Sequence, residues 1–297
     1  MSSSKGALSR AESRQALGFV SPALVGLGLF TLFPVGLSIV MSLFNWPTFG
    51  TRTFNGFGNY LKLFTVSPDF WPAMRNTFVF AIAYVPINIA CSLGLAVALS
   101  SRIRGRGALR VLFFIPVVTP MVANALIWRV MLDDGGVVNG MLKTIGITGP
   151  SWLGHPVWAM VSLILMSLWQ AIGYNIVVLA AGLNNINPAV MEAARIDGTT
   201  AWSRFWKVTF PMLSPSLFFA SVMTVIGAFK VFTQPFMLTK GGPGESTNTL
   251  VLHLYRSAFS YDKLGLASSL AWVLFVLVML MTALQFVGQK RWVNYAS

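Results

Sequence analysis

The chain has 297 residues but a single cysteine, Cys91, and only two histidines, His155 and His253. An intrachain disulfide is excluded, and no thiolate metal site can be assembled. The histidines are far apart and fall in expected loops or at span ends, so each reads as an ordinary surface side chain. No metal and no cofactor is expected. Acids are also scarce. None of the eight Asp and Glu residues falls within a long apolar run, which leaves no paired carboxylates and no nucleophile–base constellation. No catalytic residue is expected. The dipeptide Gly-Lys does not occur, so the phosphate-binding loop Gly-x-x-x-x-Gly-Lys-Ser/Thr is excluded. Any ATP chemistry has to come from another chain. Charged residues make up 10% of the sequence, against about 25% in a typical soluble domain.

What fills the space is apolar: 55% of the residues are hydrophobic, in runs long enough to cross a bilayer core of about 30 Å. The fold class expected is all-α, a polytopic membrane protein with six transmembrane helices. The spans are placed at Leu17–Phe44, Thr77–Leu99, Val111–Met131, Val157–Leu183, Met212–Leu238 and Leu264–Val287. The first run is too long for the apolar core of a signal peptide, about 7–15 residues, and is read as an uncleaved span. The chain divides into a tail (1–16), a first transmembrane helix (17–44), a core of five helices (72–288) that includes the loop 187–211, and a second tail (289–297).

The formal net charge of +13 would suggest nucleic acid in a soluble chain. Here it fits basic loops facing anionic lipid, with no nucleic acid partner. Six spans put both termini on one side. The N-terminal tail, the 2–3 connector with Arg102, Arg104, Arg106 and Arg110, the 4–5 loop and the C-terminal tail are rich in Lys and Arg. They hold only Glu12, Glu192 and Asp197 as acids. The opposite loops carry Asp69, Asp133, Asp134, Glu245 and Asp262. Excess positive charge marks the cytoplasmic side, so both termini and the 4–5 loop are expected there, in a multi-pass protein of the cell (inner) membrane.

The 4–5 loop is the most informative stretch. Asn187 and Pro188 suit an N-cap and a first helical position. Asp197-Gly198 reads as a turn, and Trp202, Phe205 and Trp206 follow at helical spacing up to Pro211, where the loop is expected to end. The order Glu192-Ala193-Ala194, Asp197-Gly198, then Phe205, Pro211 and Pro215 resembles the EAA loop of ABC importer permeases, with Thr199 where alanine is common. The resemblance covers nearly the whole chain: Pro34 in the first span, the 2–3 connector and Leu238-Thr239-Lys240-Gly241-Gly242-Pro243 are similar to sugar-type permeases of binding-protein-dependent uptake systems. It implies the type I ABC importer permease fold and a non-catalytic subunit of a carbohydrate importer, for a sugar, oligosaccharide or glycerol phosphate. It also implies three kinds of protein partner, a second homologous permease subunit, two ABC ATPase subunits and an extracytoplasmic solute-binding protein, beside the membrane lipid already expected from the apolar runs and basic loops. Glu192, Ala193, Ala194, Asp197, Gly198 and Phe205 would then couple to the ATPase. On physical grounds the two alanines let a partner approach the helix backbone, and Glu192 can pair with Arg195 at i, i+3 or with a cation on that partner.

Two polar groups inside spans are candidates for the translocation path. Lys230, the one ionisable side chain expected well inside a span, lies one turn from Gln234. A cation there either binds substrate or snorkels to the interface. Trp169, Gln170, Tyr174 and Asn175 form a second group, with Gln170 and Tyr174 expected on one face at i, i+4. Contact with sugar and interhelical hydrogen bonding both account for it. The competing functional class is a stand-alone secondary transporter or channel, which would need intramembrane acids, ion-coupling histidines or broken helices at the midplane.

Overall fold

The computed structural model describes residues 3–100 and 104–294. Arg102 of the basic connector, and the extremes of both expected tails (1–2 and 295–297), lie outside the described residues. The helices in chain order are α1 (Ser3–Leu27), α2 (Phe33–Ser42), α3 (Gly58–Thr65), α4 (Phe70–Ser100), α5 (Arg106–Val118), α6 (Met121–Met131) and α7 (Val137–Thr144). They continue with α8 (Pro156–Asn184), α9 (Pro188–Ile196), α10 (Ala201–Arg204), α11 (Phe210–Phe229), α12 (Leu250–Tyr255) and α13 (Leu264–Gln289). A two-stranded antiparallel hairpin, β1 (Phe44–Asn45) and β2 (Thr53–Phe54), pairs Phe44 with Phe54.

Five helical stretches among the described residues are long and apolar enough to cross a membrane: Gln15–Ser42, Phe70–Ser100, Pro156–Asn184, Ala201–Phe229 and Leu264–Gln289. The third span differs from the straight helix expected at Val111–Met131. It consists of α5 and α6, bent by 98° between them. Proline chemistry explains the break. Pro120 has no N–H to donate back to the Pro116 carbonyl, and its ring drives the preceding Thr119 into extended backbone, with φ −79° and ψ 145°. The second span begins at Phe70 rather than Thr77. Pro72 falls in the first turn of α4, where a missing N–H costs nothing.

The fifth span is displaced furthest from expectation. It runs Ala201–Phe229, not Met212–Leu238. Pro211 does not end the 4–5 loop, because a wide turn at Phe205–Thr209 sends the Phe210 N–H back to the Phe205 carbonyl, one residue further than in a regular helix. The first span meets Pro34 in the same way: its wide turn Gly28–Leu32 directs the Phe33 N–H to Gly28. In both places the helix continues through the proline.

Two compact units are distinguished by their packing. One takes in the described residues up to Thr65 together with Ser257–Trp272. Within it, buried Asn59 donates to the carbonyls of Ser42 and Phe44, both at 2.8 Å, and so satisfies acceptors freed at the end of α2.

The other unit, formed by Val66–Arg256 and the described residues from Val273 on, is organised around α8, which packs on α4, α5 and α11. Its buried positions, among them Leu163, Met166, Gln170, Gly173, Ile176 and Leu179, recur every three or four residues, the spacing of one helical face. Polar groups tie the three long helices together. The Asn175 amide of α8 donates to Asn88 Oδ1 of α4 (2.6 Å) and to Thr224 Oγ1 of α11 (2.9 Å). Within apolar surroundings such bonds fix which helices meet.

Candidate functional site

The first candidate element is the connection between α8 and α11. Asn187 caps α9 as its composition predicts: its side-chain oxygen accepts from the Ala189 N–H at 2.9 Å, with Pro188 next. The helix closes at Asp197, and Gly198 takes φ +70°, the left-handed region that glycine enters without penalty. Thr199 then locks the turn, since both its N–H (3.3 Å) and its hydroxyl (2.5 Å) donate to the Ala194 carbonyl. Thr200 caps α10 by accepting from the Ser203 N–H.

The faces of this element sort the expected residues. Glu192, Ala193, Asp197 and Gly198 are exposed. Ala194 is not: it is 8% exposed and faces the chain's own interior, so only Ala193 offers the open small-residue contact expected of both. Glu192 and Arg195 form no ion pair; among the described residues the one salt bridge is Arg256–Glu245. Phe205 is half-buried, in edge contact with Trp206 and Phe210. Ile196 is 82% and Trp202 73% exposed. Large apolar groups standing out beside a carboxylate are the kind of exposed patch that marks an interaction surface. The element is not loosely hung. From Ala201 it runs without interruption into the fifth span, and Thr209 of that span touches the Met191 sulfur of α9 at 3.9 Å.

The second candidate is a cavity of about 250 Å³ at the other end of that span. Tyr84 and Phe80 of α4, stacked with centroids 5.1 Å apart, form one wall. Met121 of α6 and Ser167 and Gln170 of α8 contribute, and Lys230–Gln234, where the chain breaks out of α11 at residues 230–232, close the lining. Lys230 is not inside a span, as expected, but at the C-cap of α11, exposed, with its N–H shared between the Ile226 and Gly227 carbonyls. The chain leaves the helix here, and the Val231 carbonyl, freed from helical pairing, accepts from the Thr249 hydroxyl at 3.0 Å. Gln234 follows, 5% exposed and on the cavity lining.

The structure thus brings Gln170, Lys230 and Gln234 together and separates the rest. Trp169 and Tyr174 are exposed and line no part of the cavity; Tyr174, one helical turn from the buried Gln170 on α8, lies outside the site. Asn175 belongs to the buried bonds with Asn88 and Thr224, and its own oxygen is buried without a partner. Gln170 is engaged already: its amide N–H donates to the Pro116 carbonyl, and its oxygen accepts from Asn124 at 2.6 Å. Sequence reasoning missed Tyr84. Its signal was a phenol four residues before Asn88 in an apolar run, polar groups on one helical face.

The loop after Gln234 is tightly built. Asn76 of α4 donates to the carbonyls of Glu245 (2.7 Å) and Asn248 (3.1 Å). The Leu250 N–H donates to Thr77 Oγ1 at 3.0 Å. Arg256 holds the Glu245 carboxylate at 2.7 Å and also donates to the Lys240 carbonyl. His253, expected at the surface, is 4% exposed. Its burial lowers its pKa from the ordinary value, and Arg256 acts in the same direction, against the opposing pull of Asp69 and Glu245.

Residues 88–293 match the family described as binding-protein-dependent transport system inner membrane component. The chain is 36% identical over 279 residues to the lactose transport system permease protein LacF of Rhizobium radiobacter, covering 92% of this chain and 93% of LacF. It is 35% identical over 292 residues to the probable ABC transporter permease protein YesP of Bacillus subtilis, covering 97% and 94%. A chain of the bacterial alginate ABC transporter, solved in complex with its alginate pentasaccharide-bound periplasmic protein, superposes with a TM-score of 0.83 at 20% identity, covering 97% of this chain and 98% of the other.

Proposed function

The chain belongs to the binding-protein-dependent transport system inner membrane components, and we propose that it forms half of the carbohydrate path of an ATP-driven importer. It is a multi-pass permease subunit. The assembly it serves contains a second permease of the same family, two separate ATPase subunits, and a solute-binding protein that delivers the sugar from outside. Hydrolysis takes place on the ATPase subunits, and this subunit is non-catalytic. Both termini and α9 face the cytoplasm, in keeping with the basic connectors around them.

One observation carries the mechanism. The helix that starts at the α9 turn is the same one that ends at the cavity. Ala201–Phe229 is one run of 29 residues, roughly 43 Å at 1.5 Å per residue. Glu192, Ala193, Ile196 and Trp202 present the face on which the ATPase docks. When the ATPase dimer closes, α9 moves with it. Packed helices move as rigid bodies rather than deform, so the fifth span tilts and its far end, with Lys230 and Gln234, changes its exposure to either side. Gln170, Lys230 and Gln234 meet the substrate, and Tyr84 offers an aromatic face to a sugar ring.

The test is reconstitution with the partner permease, the ATPase and the binding protein in liposomes. Carbohydrate uptake should need ATP and the binding protein, and Glu192→Lys should abolish it while leaving membrane insertion intact. Uptake driven by an ion gradient in the permease alone would instead identify a secondary transporter.

A further inference from the structure

We propose that the cavity at the end of the fifth span receives an acidic group of the carbohydrate, with the Lys230 ammonium as its counter-ion. The proposal rests on reading this cavity as part of the carbohydrate path.

Three observations point the same way. First, among the described residues Lys230 is the only charged one on the cavity lining, and no Asp or Glu contributes to it. Second, the Lys230 ammonium is unoccupied: it makes no ion pair or hydrogen bond among the described residues, and the residue is exposed. Third, the backbone is built to put it there. The helix stops at Phe229, and Val231 is tied to Thr249, so Lys230 stands at a fixed break rather than on a helix face from which it would snorkel along the span. A cation in a concave, mostly apolar surface of one sign concentrates anions.

The remaining lining suits the rest of a sugar. Gln234 and Ser167 supply amide and hydroxyl groups, and the stacked Phe80–Tyr84 pair supplies a flat apolar face. At about 250 Å³ the space lies at or below the lower end of ordinary ligand pockets, about 300–1,000 Å³. It therefore fits one ring of a longer substrate, or one half of a site that a second permease completes. Lysine is a point charge without the planar fork of arginine, so a uronate carboxylate and a sugar phosphate satisfy it equally, and the test separates them. The simpler role for Lys230 is as a cation at the C-terminus of α11, where the helix dipole favours positive charge. That role makes no distinction between substrates, which gives the experiment its discriminating readout.

The complete importer with its cognate binding protein is challenged with three probes: lactose, digalacturonate and trehalose 6-phosphate. Binding-protein melting shifts and ATP-dependent uptake are both measured. At least one of the two acidic probes should bind and be carried, and which one identifies the acidic group. For that probe Lys230→Gln should raise the apparent KM about tenfold or more, the loss of one charge-assisted contact, while Lys230→Arg keeps it within a few-fold. Uptake of any neutral probe should lose far less, so that Lys230→Gln raises the ratio of the acidic to the neutral KM. The proposal is overturned if only lactose binds and is carried, or if Lys230→Gln leaves acidic and neutral uptake both intact. It is equally overturned if the variant lowers both in parallel, as a helix-capping lysine or one paired with an acid of the second permease requires. No ATP-dependent uptake of any probe by the unmodified importer would instead strike the carbohydrate reading beneath it.

Discussion

Gln170 of α8 donates its side-chain amide to the carbonyl of Pro116, the acceptor that Pro120 leaves without its helical partner. The broken third span and the central helix are therefore joined through a defect that proline creates. Gln170→Leu removes both bonds that cross from α8 to the break, the donor to Pro116 and the acceptor of the Asn124 amide, and leaves the Pro116 carbonyl only its local partners, the Thr119 hydroxyl at 2.9 Å and Asn124 at 3.3 Å. A buried hydrogen bond lost while its groups keep other partners costs about 0.5–1.5 kcal/mol. The variant should melt earlier in detergent and transport less, and Gln170→Glu, which keeps the acceptor but loses the N–H donors when ionised, should not restore it. An unchanged melting curve for Gln170→Leu would remove this role.

This pair also marks where the sequence stopped being legible. The number of long apolar stretches, the cap at Asn187 and the turn at Gly198 follow from local rules: apolar run length, an oxygen before a proline, a residue free to take positive φ. The bend at Thr119–Pro120 obeys a local rule too, but membrane helices so often run through proline that the break could not be told from a kink. The fate of Gln170 and Asn175 depended on which helix each one faced, a tertiary fact. Lys230 was misplaced because Val231–Leu238 is as apolar as a helix that continues. Only the wide turn at Phe205–Thr209 and the bond from Thr249 to Val231 show that the span starts and ends about ten residues earlier.

Gly173 sits where α8 comes closest to α5. A β-carbon there would press into the backbone around Phe113 and Phe114, which cannot rotate away as a side chain would. Gly173→Ala should push the two helices apart and cost roughly 1–3 kcal/mol, the usual penalty of overpacking. The drop in melting temperature should come with loss of uptake. A variant of wild-type stability and activity would mean that the helices separate freely.

Gly198 poses the opposite case. A β-carbon would meet nothing within 4 Å, so only the positive φ restricts the position. Gly198→Val should cost about 1–2 kcal/mol or more from the left-handed conformation and uncouple ATP hydrolysis from uptake. Gly198→Asn, which tolerates that conformation, should keep most of both. If Asn fails as badly as Val, the limit is the space that a docked ATPase occupies and not the turn.

His253 gives a pH dependence of definite sign. Its pKa in the folded protein lies below the ordinary value of 6.5, so the folded state holds it neutral while the unfolded chain takes up a proton more readily. Stability from this group is fully present above about pH 6.5 and is lost as pH falls through the lowered value. Melting temperatures from about pH 8 to about pH 5 should decline for the wild type, and His253→Gln should flatten part of that decline. Parallel curves for both proteins would rule the histidine out as its source.

Thr249 tests whether the break at Lys230 is held in place or merely allowed. Its hydroxyl is fully buried and donates to the Val231 carbonyl at 3.0 Å. Thr249→Val keeps the shape and deletes the donor, leaving that carbonyl dry. The expected loss is about 1–2 kcal/mol of stability, together with a raised KM for the carried sugar as the Lys230–Gln234 stretch shifts. Thr77→Val provides the control. Thr77 anchors the same loop by accepting from the Leu250 N–H at 3.0 Å, and its own hydroxyl donates to the Ala73 carbonyl rather than to the Lys230–Gln234 stretch. It should lose comparable stability at nearly unchanged KM. If both variants raise KM alike, the loop acts on the cavity as a whole, and the hydroxyl of Thr249 has no special hold on the path.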